Sequence, residues 1–128
     1  MNRKNLILAA ALALFLVAGL GFAQYDRDMV VGVMRSSGAL LGELNKALGE
    51  GDFFAAAEAF MSIAQNFKSL ETITPKKGRK ADWDAVHGDL INAAFRGIGA
   101  CGSEDRKAAE SAAAEISGLI KKGHGMFR

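Results

Sequence analysis

Apolar residues recur at three- and four-residue spacing along most of the chain after residue 24, and that period predicts four α-helices. The first is expected from about Asp26 to Leu48, with Val30, Val33, Met34, Ser37, Leu40, Leu41, Leu44, Ala47 and Leu48 on its inner stripe. Gly49-Glu50-Gly51 ends it, and Asp52 is placed to cap the next helix. The second runs from about Phe53 to Leu70 along Phe53, Ala56, Ala57, Phe60, Ile63, Ala64, Phe67 and Leu70. It stops before Pro75, which biases Thr74 away from helical angles. The third is expected from an N-cap at Asp82 to about Cys101, with Trp83, Val86, Leu90, Ala94 and Ile98 facing inward. The fourth is expected to start at a Ser103 cap, with Glu104 and Asp105 in its first turn, where the helix dipole favours negative charge. Its stripe is Ala109, Ala112, Ala113, Ile116, Leu119, Ile120, Gly123 and Phe127. No alternating, β-branched stretch reads as a strand.

Four such helices with short connections predict an all-α, antiparallel up-down-up-down four-helix bundle spanning residues 24–128. In that order one end gathers the start of helix one, the end of helix two, the start of helix three and the end of helix four. Met34 then lies about 12 Å in from that end and His124 about 6 Å in, at the helical rise of about 1.5 Å per residue. The two face each other across the core, with Phe67 and Trp83 as apolar walls. His124 is in step with Ile116, Ile120 and Phe127, which turns it inward. His87, one turn after Trp83, lies at the edge of the inner face and is expected to be exposed or partly buried. The loop residues Lys76, Lys77, Arg79 and Lys80 form a basic cluster at the same end.

Residues 1–23 read as a secretory signal. Arg3 and Lys4 supply the positive start, Leu6 to Val17 is unbroken apolar chain, and Gly21 and Ala23 are the small residues before a cleavage site at Gln24. The alternative is an uncleaved membrane anchor, for which the apolar stretch is only marginally long. The expected location is therefore periplasmic or otherwise exported, with no membrane association once the signal is removed. Without Arg3 and Lys4 the sixteen basic residues fall to fourteen, equal to the fourteen acidic ones. A neutral domain without a basic stripe argues against nucleic acid as partner. Cys101 is the only cysteine, so no intramolecular disulfide forms, and a domain of this size must rely on packing, a cofactor or association.

The tail Ile120-Lys121-Lys122-Gly123-His124-Gly125-Met126-Phe127-Arg128 carries the candidate chemistry. It resembles the haem-attachment helix of the cytochrome c-prime family, where C-x-x-C-H is followed by x-x-(Phe/Tyr)-Arg. His124, Phe127 and Arg128 stand in the matching places, while Ile120 and Gly123 replace the two cysteines. Met34-Arg35-Ser36-Ser37-Gly38 is similar to the Met-Lys-x-x-Gly stretch of low-spin members of that superfamily. Trp83 stands where many members carry tryptophan, whereas Val30 stands where many carry arginine. The ending also resembles that of the related soluble b-type cytochrome, which holds haem without covalent bonds.

The resemblance implies haem-linked electron transfer, with His124 as proximal and Met34 as distal iron ligand. Phe67 and Trp83 would wall the group, and Arg128 and the basic loop would meet its propionates. Loss of both thiols excludes covalent c-type haem, so the cofactor expected is non-covalent haem b or none. The resemblance implies a redox protein as partner and admits a homodimer. The alternative is a haem-free structural or partner-binding bundle, with Phe53, Phe54, Phe60, Phe67, Phe95 and Phe127 available to fill the vacated pocket. An enzyme is not expected: no nucleophile–base pair, paired core carboxylates or phosphate-binding glycine loop is present.

Overall fold

The computed structural model describes residues 24–128, and the expected signal segment at 1–23 lies outside them. The described chain is four helices, α1 (Arg27–Glu50), α2 (Phe53–Ser69), α3 (Lys80–Gly102) and α4 (Arg106–Phe127). There is no strand among the described residues, and no helix there is long and apolar enough to cross a membrane. Each helix packs on its sequence neighbour, and α1 also meets α4, along the most loosely packed of the four seams. Near the end of α2, Asn66 Nδ2 donates to the Ser36 and Ser37 hydroxyls, midway along α1, at 3.0 and 3.3 Å. Trp83 at the start of α3 meets Leu70 just past the end of α2, and Arg106 at the start of α4 donates to the Gly49 carbonyl near the end of α1. The last two contacts each set a helix start beside the end of another helix.

The core is the apolar stripe read from the periodicity. Leu44, Leu48, Phe60, Ile63, Phe67, Leu70, Leu90 and Ile116 have almost no exposed surface. Phe60 seats its ring directly over Gly97, where any Cβ would collide with it. Gly97 thus sets how closely α2 and α3 approach.

Helix ends follow the caps in part. Asp26 and Asp52 accept from the Met29 and Ala55 amides at 3.1 and 3.0 Å, satisfying donors that a first turn leaves open. Gly51 closes α1 with φ of 72°, a left-handed angle that glycine adopts without strain. The expected caps of the other two helices are corrected. Helix α3 begins at Lys80, two residues before Asp82, and the cap position is Arg79 with no side-chain cap bond. Asp82 instead sits in the first turn and pairs with Arg79 at 2.9 and 3.1 Å. Helix α4 is capped by Asp105, which accepts from the Ala108 amide at 3.1 Å, and not by Ser103. Ser103 belongs to the end of α3, where its hydroxyl donates to the Gly99 carbonyl. Glu104 takes a positive φ of 54° in the turn, so neither acidic residue lies in the first turn of α4.

Candidate ligand-binding cavity at one end of the bundle

At one end of the bundle the core opens into a cavity of about 310 Å³. That is at the lower end of the range for small-molecule sites, about 300–1,000 Å³. Val30, Val31, Met34 and Arg35 come from α1, Phe67 from α2, and Trp83, Val86, His87 and Leu90 from α3. Ile120, Gly123, His124 and Phe127 come from α4, with Tyr25 and Arg128 completing the lining. All five residues singled out in the sequence (Met34, Phe67, Trp83, His124 and Arg128) therefore line one space. No acidic side chain lines it.

The α3 wall is built around Trp83. Its indole Nε1 donates to the Leu70 carbonyl at 2.8 Å, which satisfies the only polar atom of the buried ring. The Phe127 ring meets it edge-on at 5.1 Å, and the His87 ring packs against it at 4.3 Å. The loop before α3 shapes itself to the same contact. Gly78 has φ of 87°, and a Cβ there would come within 3.0 Å of the Phe127 ring.

Two imidazoles reach this space. Nε2 of His124 is buried and has no hydrogen-bond partner, the one such side-chain atom among the described residues. Burial first, and then the nearby Arg128 charge, hold this imidazole below its ordinary pKa, so the ring is neutral near pH 7. A neutral ring with a desolvated, unpartnered nitrogen beside a largely apolar cavity suits a metal-bearing ligand, and an unpaired buried polar atom otherwise carries a free-energy cost. His87 is buried, not exposed or partly buried as expected, because the rotation of α3 against α2 sets its ring against Trp83 and Phe67. Its Nδ1 lies 2.7 Å from the Trp83 carbonyl. A carbonyl only accepts, so Nδ1 carries the proton and Nε2 keeps its lone pair. Burial lowers its pKa, partly opposed by that hydrogen bond.

Other expectations fare differently. The basic loop does not line the cavity: Lys80 binds the Glu71 and Ile73 carbonyls and Asp84, Arg79 binds Asp82, and Lys77 donates to the Arg128 carbonyl. Nor do the six phenylalanines fill the space. Phe54 and Phe95 are 78% and 51% exposed, Phe60 lies on Gly97, and only Phe67 and Phe127 line the cavity. Cys101 is buried at the opposite end, beside the turn into α4. Sequence reasoning left out Arg35 and Tyr25. Arg35 adjoins Met34 in the chain, and that adjacency was the available signal. Among the described residues no three His, Cys, Asp or Glu side chains cluster as a metal site. No protein-family model, curated protein or solved structure matches the chain.

Proposed function

We propose that this protein is an exported, cytochrome c-prime-like bundle that holds haem b without covalent bonds and serves one-electron transfer. One observation carries the reading: His124, whose buried Nε2 has no hydrogen-bond partner, lines a largely apolar cavity together with Met34. When bound, the haem iron supplies reversible one-electron exchange. The chain's own part is to hold and shield that group. His124 would donate its Nε2 lone pair from α4, and the Met34 thioether would face it from α1. A Met/His ligand pair raises the potential and leaves no open position for a substrate. Phe67, Trp83, Val86 and Leu90 exclude water from the inner edge. With no thiol near His124, retention depends on these contacts alone.

The test is a haemin titration of purified protein followed by visible absorption. A sharp Soret shift saturating at one haemin per chain, lost in His124→Ala, is the expected result. In Met34→Ala the shift should persist with a changed spin-state spectrum; an unchanged spectrum would remove Met34 as a ligand. A folded, thermally stable bundle that ignores haemin would sink the reading and leave a haem-free structural bundle.

A further inference from the structure

Two cations line the mouth of the cavity, and of these the resemblance gave a part to Arg128 alone. Arg35 lies on the α1 lip and Arg128 on the α4 lip, and both line the space. Neither guanidinium has a hydrogen bond or ion pair among the described residues, whereas Lys68, Lys77, Arg79 and Lys80 at the same end are engaged. The sequence explains why they stay unpaired. The helical neighbours of Arg35 are Val31, Gly32, Gly38 and Ala39, and those of Arg128 are His124 and Gly125. No acidic side chain is therefore within one turn on either helix, where intrahelical ion pairs form. None lines the cavity either.

We propose that Arg35 and Arg128 form a carboxylate clamp across the mouth, so that the site selects an apolar ligand bearing a carboxylate on its outer edge. The inference rests on the haem reading and deepens it by assigning Arg35 as a specificity-determining residue. The apolar body of the ligand enters between α1 and α4, the loosest seam, while its charged edge stays at the rim. There a planar guanidinium binds a carboxylate with two parallel hydrogen bonds. The two lips also supply charge from separate helices, so a bound dianionic edge would tie α1 to α4 where their own packing is weakest.

The experiment compares haemin with haemin dimethyl ester, which has the same iron and ring and no carboxylates. Both are titrated by absorption into the wild-type protein, Arg35→Gln and Arg35→Lys. The clamp predicts that wild type prefers haemin and that this preference weakens with added salt, because rim charges are screened. Arg35→Gln should weaken haemin about tenfold, the size of one charge-assisted hydrogen bond, and leave the ester unchanged. Arg35→Lys should recover part of the loss. Equal binding of haemin and ester by wild type would overturn the clamp and leave the haem reading intact. A wild-type preference that survives Arg35→Gln would overturn the part given to Arg35. Absence of a Soret shift with both probes would overturn the haem reading and the clamp together. Arg35 is exposed, so Arg35→Gln should unfold at the wild-type temperature.

Discussion

His87 and His124 are each held neutral by burial at the same end of the bundle, with consequences for both the empty chain and the loaded one. For both, the folded-state pKa lies below the ordinary imidazole value of 6.5. The unfolded chain therefore binds protons first as pH falls. The stability tied to these rings is present above about pH 6.5 and is lost on acidification through that value. Thermal unfolding measured from pH 7.5 down to pH 5 should show a falling midpoint. His87 is the more buried ring, so His87→Phe should flatten that dependence more than His124→Ala does. A wild-type midpoint independent of pH over this range would contradict the buried, neutral His87. His124 adds a second effect, since a proton on Nε2 competes directly with a metal for the same lone pair. Haemin affinity should accordingly fall over the same acid range, read from titrations at each pH.

At the scale of elements, helix ends and one interhelical contact give checks that need no ligand. Asp105→Ala should destabilise the protein by about 1 kcal/mol, a usual cost of losing an N-cap. Ser103→Ala should cost less, because that hydroxyl only back-bonds to Gly99 at an exposed helix end. Denaturant unfolding of the pair decides which residue caps α4. Gly97→Ala is expected to be worse than either, at about 1–3 kcal/mol for overpacking, because the new methyl meets the Phe60 ring. Gly125→Ala should go the other way. Its Cβ meets nothing within 4 Å, and alanine favours a helix interior by about 1 kcal/mol over glycine.

The molecule as a whole is a well-packed bundle along three seams and an open one along the fourth. A ligand that enters the open seam binds only the folded state and shifts unfolding upward. Haemin at about a hundredfold its dissociation constant should stabilise by about 2.7 kcal/mol. The midpoint should therefore rise by several degrees for a domain of this size. His124→Ala should abolish the rise while leaving the apo-protein folded.

Much of the fold was legible from residue order. The 3.6-residue period placed four helices, because burying a stripe demands that spacing whatever the neighbours are. Asp26, Asp52 and Gly51 marked their ends through purely local bonds and angles. The gathering of Met34, Phe67, Trp83, His124 and Arg128 followed from helix direction and the fixed rise per residue. Tertiary packing decided the rest. Ser103 or Asp105 as cap depended on the turn adopted between α3 and α4, and each residue has the right chemistry in isolation. Burial of His87 depended on the rotation of α3 against α2, which no single helix specifies. The cavity itself arises from how α1, α3 and α4 come together: the phenylalanines had the volume to fill it, but their helical positions turned most of them elsewhere.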